Sequence, residues 1–222
     1  MYEYLKEEFE KLSEEEKNAL MIYKSRLGLA INDMNRIDEI YYFYKDIIND
    51  PKNIFLKMSV FKDIDFSNVI SFSESLDHIY EIVKKATSKI ILKEDLTVYR
   101  MVSIKDDEEL KDISKGTVIS TSINIDTCSK FLINEEGYKH YLYQINLEKG
   151  SKVGICPYSI LYNRGDNTVT LSKNSDQEEI IINKYNYSFE NKDVHEVSLD
   201  NGIVLNIISY DSKNKELNSL QR

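Results

Sequence analysis

Three short stretches hold side chains that can act together on one substrate: Arg100 after Thr97, Val98 and Tyr99; the run Ser120-Thr121-Ser122; and Gln177-Glu178-Glu179 leading into Ile180, Ile181 and Ile182. Arginine presents a planar fork of donors that matches a pair of phosphate oxygens, where lysine would offer only a point charge. Serine and threonine hydroxyls fix a neighbouring carboxylate without adding charge. On a strand, alternate residues share a face, so Gln177 and Glu179 point together and Glu178 points away. A carboxylate just before three isoleucines stands at the mouth of a core strand. Partial desolvation there suits it to steady positive charge on a sugar oxocarbenium ion, as in glycoside cleavage. Each stretch also has a plain structural account. Arginines are commonly solvated surface groups, Ser-Thr-Ser can end a strand, and charges at strand edges guard against aggregation.

The elements that must position these groups fall into two halves. Ser13 with Glu16 three residues on has capping-box form, and Leu20, Tyr23, Leu27 and Ile31 follow at helical spacing, predicting a helix from about residue 13 to 35. Ile37, Ile40, Tyr41, Tyr44 and Ile48 predict a second helix from Arg36 to Asn49, stopping before Pro51. Ser71-Phe72-Ser73-Glu74 opens a third, with Leu76, Ile79, Tyr80 and Val83 along one side. From about residue 96 the period becomes two, predicting strands at 97–102, 117–122, 139–147, 152–156, 167–171, 179–183 and 202–210. Arg100 then falls at a strand end. Asp126 is expected to cap a short helix through Phe131, and Asp211 to Arg222 reads as a frayed polar tail. No repeat or linker separates the halves. The prediction is one α+β domain, 1–222, with amino-terminal helices (1–92) packed on a mostly antiparallel two-sheet β core (93–210) and a tail (211–222).

With 41% hydrophobic and 30% charged residues in 222, the chain has the means to bury a core, which excludes disorder. The net charge of −9 is spread over both halves, which argues against a primary nucleic-acid binder. Cys128 and Cys156 are too few and too far apart for a disulfide framework or a CxxC site, and His78, His140 and His195 lack ligand spacing. No phosphate-cradling glycine loop or nucleophile elbow is present. Arg164-Gly165-Asp166 reads as a turn. The amino terminus lacks signal-peptide regions and no apolar run reaches membrane-spanning length, so either the protein works where it is made or its export uses a route this chain does not show; action in a cytosol, without a membrane, is expected, and the localisation itself is left open.

Taken in order, the three stretches resemble the signature of the bacterial exotoxin-type mono-ADP-ribosyltransferases: an arginine, then Ser-Thr-Ser, then Gln/Glu-x-Glu on a strand. The likeness extends to Leu12-Ser13-Glu14-Glu15-Glu16-Lys17 with Tyr23, to Ile31-Asn32-Asp33-Met34-Asn35-Arg36, and to Lys149-Gly150-Ser151-Lys152-Val153-Gly154. It thus runs from about residue 12 to 190. The chain departs from the pattern at Met101, where glycine is usual, at Asn134, where a second arginine is usual, and in a longer 160–176 loop.

The resemblance implies NAD as substrate and no metal. It implies that Arg100 and Arg36 bind the pyrophosphate, that Thr121 and Ser122 shape the cofactor pocket and that Phe131 packs on nicotinamide. Ser120 would orient Glu179, and Glu179 would hold the ribose 2′-hydroxyl. The family places apolar residues directly after its catalytic glutamate, which selects Glu179 and makes Gln177 the residue two before it. Glutamine there accompanies an asparagine or glutamine acceptor, as in the clostridial exoenzymes that modify Rho GTPases; glutamate accompanies arginine, as in the actin-modifying binary toxins. A host protein such as a small GTPase or actin is the implied partner. Water as acceptor, giving an NAD glycohydrolase, and a binding module without turnover are the rival outcomes.

Overall fold

The computed structural model describes residues 1–25, 27–48, 61–110, 118–163, 168–172 and 179–215. The chain divides into two compact units, Met1–Ile90 with Gly154–Ser175, and Ile91–Val153 with Asp176–Arg222.

The first unit carries helices α1 (Tyr2–Glu10), α2 (Glu14–Lys24), α3 (Leu27–Asn32), α4 (Ile37–Ile48) and α5 (Val69–Ala86). The Ser13 capping box is present: Ser13 Oγ accepts from Glu16 N, and Glu16 Oε2 accepts from Ser13 N at 3.1 Å. The single helix expected from 13 to 35 is instead two. Ser25 leaves the helical region at ψ 178°, and its hydroxyl donates to Ile22 O and accepts from Leu27 N. A serine that satisfies local backbone groups in this way offers the chain an alternative to the helical ladder. Gly28 makes the reversal possible, because a Cβ there would lie 1.9 Å from Tyr23 O. The third helix begins earlier than Ser71, since Asn68 Oδ1 accepts from Ser71 N and so caps it. The long loop expected at 160–176 contains a hairpin of β6 (Ser159–Asn163) and β7 (Thr168–Ser172), a two-stranded sheet of its own. Arg164, Gly165 and Asp166 lie outside the described residues.

The second unit is built on the larger sheet, of eight strands. The chain crosses between the units within β1 (Ile90–Ile91) and β5 (Lys152–Ile155). The other six strands are β2 (Leu96–Lys105), β3 (Val118–Ser122), β4 (Tyr138–Leu147), β8 (Glu179–Asn183), β9 (Tyr187–Ser198) and β10 (Val204–Asn214), and helix α6 spans Ile125–Ser129. The order is β1-β5-β8-β3-β2-β4-β10-β9. Pairing is antiparallel for β2 with β3 and β4, β3 with β8 and β9 with β10, and parallel for β4 with β10.

Rungs are unevenly distributed. Strands β2 and β4 are in register from Leu96↔Leu147 to Lys105↔Tyr138, whereas β2 meets β3 at one rung among the described residues, Tyr99↔Ser122. The expected polar tail is corrected: residues 211–214 belong to β10, paired with β9, and Asp211 Oδ1 accepts from Asn146 Nδ2. Strand β9 itself carries no two-residue pattern, because residues 190–198 are exposed on both faces. Helix α6 is capped by Asn124, whose Oδ1 accepts from Asp126 N, so the cap sits two residues before the expected one and Phe131 falls beyond the helix. Among the described residues no helix is long and apolar enough to cross a membrane.

Candidate active site

Strands β2, β3 and β8 bring together three of the residues singled out in the sequence. Ser122 pairs with Tyr99 on one side and with Glu179 on the other, so the register aligns the three across adjacent strands. Ser120 lies two residues from Ser122 and therefore on the same face as Glu179. Its hydroxyl donates to Glu179 Oε1, a diagonal contact between neighbouring strands. The Ser120 carbonyl accepts from Arg100 Nη1 at 2.8 Å. One serine thus ties the guanidinium through its backbone and the carboxylate through its side chain.

Arg100 lies in the middle of β2 rather than at a strand end, because β2 continues through Lys105 to pair with the start of β4. It bridges β2 and β3 next to their Tyr99↔Ser122 rung. Met101 alternates to the opposite face, packing against the cluster of Cys128, Leu142 and Leu205, so the side chain standing where glycine is usual is taken up by the core. Burial pushes the Cys128 thiol up, against the opposing pull of a backbone hydrogen bond at Met101 and the Arg100 charge. Both cysteines are buried and free.

Glu179 is 5% exposed and opens β8, followed by Ile180, Ile181 and Ile182 with no exposure at all. The isoleucines anchor the strand by burial, and the carboxylate stands at its amino-terminal end. Thr121 faces the other way from Ser120, and its buried hydroxyl donates to Ile180 O at 2.8 Å, pinning β8 next to Glu179. Ser122 Oγ donates to Asn124 O and accepts from Asn124 N, turning the chain from β3 into α6. Phe131 sits past α6 and is 56% exposed. Arg36 belongs to the first unit, where its fork grips Glu39 through Nε at 3.1 Å and Nη2 at 3.0 Å. Gln177 and Glu178 lie outside the described residues. The Ser120 carbonyl was invisible to sequence reasoning, since a backbone acceptor leaves no mark on residue type.

No family model matches the sequence, and no curated protein matches it. Solved structures do. Plx2a, an ADP-ribosyltransferase toxin from Paenibacillus larvae, aligns with TM-score 0.52 and 16% identity over 96% of this chain and 94% of its own. The fold is that of the ADP-ribosyltransferase toxins. The enzymatic component C2-I of the C2-toxin from Clostridium botulinum aligns with TM-score 0.53 and 17% identity, over 95% of this chain and 46% of its own. Within this ADP-ribosyltransferase fold, the Arg100, Ser120 and Glu179 cluster places a cation and a carboxylate around one serine. Among the described residues no group of three or more His, Cys, Asp or Glu side chains is arranged to hold a metal ion.

Proposed function

We propose that this protein is a mono-ADP-ribosyltransferase that moves ADP-ribose from NAD to a side-chain amide of a target protein. The observation that carries the reading is the Ser120 double tie, which holds the Arg100 guanidinium and the Glu179 carboxylate on an ADP-ribosyltransferase fold. The donor set fits NAD. Among the described residues Arg100 is hydrogen-bonded only to Ser120 O, which leaves the rest of its fork for pyrophosphate oxygens. Glu179 accepts from Ser120 and would hold the ribose hydroxyl beside it. Its charge is buried where it acts strongly on positive charge growing at C1′. The bond from C1′ to nicotinamide breaks with its electron pair leaving on nicotinamide; the acceptor nitrogen bonds to C1′ and gives up a proton. Phe131 would offer its exposed side chain to nicotinamide.

The strand register supports the choice of an amide acceptor. Glu179 is the residue that opens β8 and bonds Ser120, which supports it as the catalytic glutamate and makes the motif Gln177-x-Glu179. The test is incubation with labelled NAD and host lysate, followed by mass spectrometry of the labelled protein. A labelled asparagine or glutamine, abolished in Glu179→Gln, is expected. A modified arginine would overturn the amide assignment, nicotinamide release without labelled protein would make water the acceptor, and no nicotinamide release at all would overturn the reading.

A further inference from the structure

A buried histidine outside the Arg100, Ser120 and Glu179 cluster is built into the support of Phe131. His140 on β4 is 5% exposed and stands directly opposite Ser103 on β2, so the two side chains share a face. His140 Nδ1 lies 3.0 Å from Ser103 Oγ, and Ser103 Oγ accepts from Ile133 N at 3.2 Å. With its proton on Nε2, His140 accepts the Ser103 hydroxyl hydrogen; with it on Nδ1, it donates to Oγ. In both tautomers Oγ is fixed between the ring and the Ile133 amide. Asn206 Nδ2 donates to His140 O at 3.1 Å, bracing the histidine from β10.

Ile133 is two residues beyond Phe131. Since Phe131 is 56% exposed, burial does little to hold its ring. Its backbone does: on the amino-terminal side Phe131 N donates to Cys128 O and Leu132 N to Ser129 O, each at 3.0 Å. On the carboxy-terminal side the tie is Ile133 N to Ser103. We infer that Ser103 and His140 are positioning residues for NAD cleavage, acting through Ile133 to hold the Phe131 ring in place for nicotinamide. This inference rests on the function proposed above.

A double-mutant cycle on nicotinamide release separates positioning from general stability. Ser103→Ala is expected to raise KM for NAD about fivefold to tenfold with kcat within about twofold, and Ser103→Thr, which keeps the hydroxyl, to restore wild-type KM. In a Phe131→Ala background, Ser103→Ala is expected to add nothing further. Losses that multiply in the double variant, or an unchanged KM in Ser103→Ala, would overturn the inference while leaving the functional reading intact. A wild-type protein that releases no nicotinamide would overturn both. Amide hydrogen exchange on the wild-type chain needs neither variant nor activity. A protected Ile133 N–H supports the tie, and one exchanging as freely as an open loop would overturn it.

Discussion

Replacing Ser120 by alanine removes one of its two ties and spares the other. The carbonyl that accepts from Arg100 Nη1 remains, while the hydroxyl that donates to Glu179 Oε1 is lost. Glu179 is 5% exposed, so water does not freely replace that donor. A hydrogen bond to a charged group is worth about 1.5–3 kcal/mol. If the carboxylate is held for the transition state by that bond, the same energy appears in the barrier, and 1.36 kcal/mol is tenfold in rate, giving a fall in kcat of roughly 10- to 150-fold. KM for NAD should change much less, because the Arg100 contact is intact. Nicotinamide release across a range of NAD concentrations reads both constants, and a thermal melt verifies that the variant is folded. A folded Ser120→Ala protein with kcat within about twofold of wild type would refute the claim that this hydroxyl orients Glu179. A large KM rise at constant kcat would refute the separation of the two ties.

Further outcomes concern the frame. Glu16 is 2% exposed and ion-paired to Lys89 at 2.5 Å; burial pushes its carboxyl up, but the Lys89 and Ser13 contacts outweigh that and hold it below the usual carboxylate range. Lys89→Ala should therefore cost about 1–2 kcal/mol near neutral pH, less than a fully buried pair because Lys89 is 45% exposed. A lowered folded value contributes stability above the unfolded carboxylate pKa of about 4.3 and loses it as pH falls through the folded value, so denaturant titrations should show the gap to wild type closing in acid. Removing residues 211–222 should lower the melting temperature by several degrees, since it deletes the fully buried Ser212 and the rungs from Asp211↔Glu190 to Asn214↔Tyr187. Gly28→Ala should destabilise by about 3 kcal/mol or more, judged by chemical denaturation, because its Cβ would meet backbone at Tyr23 O; Gly202→Ala, with φ +81° but open space, should cost about 1 kcal/mol.

The parts of the fold that were legible in the sequence are those fixed by local chemistry. The Ser13 and Glu16 capping box reads directly, as does β8, where Glu179 and three isoleucines announce a buried strand. The chain breaks and edges were harder. At Ser25 a side chain diverts the backbone inside an otherwise helical pattern, and the close approach of Gly28 to Tyr23 appears only once the chain has turned there. Strand β9 is exposed on both faces over residues 190–198, so no alternation marks it; its strand state comes from pairing with β10. For the site, residue types pointed to Arg100, Ser120 and Glu179, and the contacts in the fold join them. The roles of Ser103 and His140 depend on facing each other across β2 and β4, which no spacing within either segment encodes.

Among the described residues β2 and β3 share one rung, and this bears on how the sheet moves. Ten paired positions lock β2 to β4, and five lock β3 to β8, whereas among the described residues one rung, Tyr99↔Ser122, joins those two blocks. Breathing at that seam sacrifices few backbone bonds, and the guanidinium of Arg100 is the clasp across it. Under the function proposed above, a pyrophosphate held by the rest of the Arg100 fork would sit on that clasp, so NAD is expected to steady the seam and slow amide exchange along it.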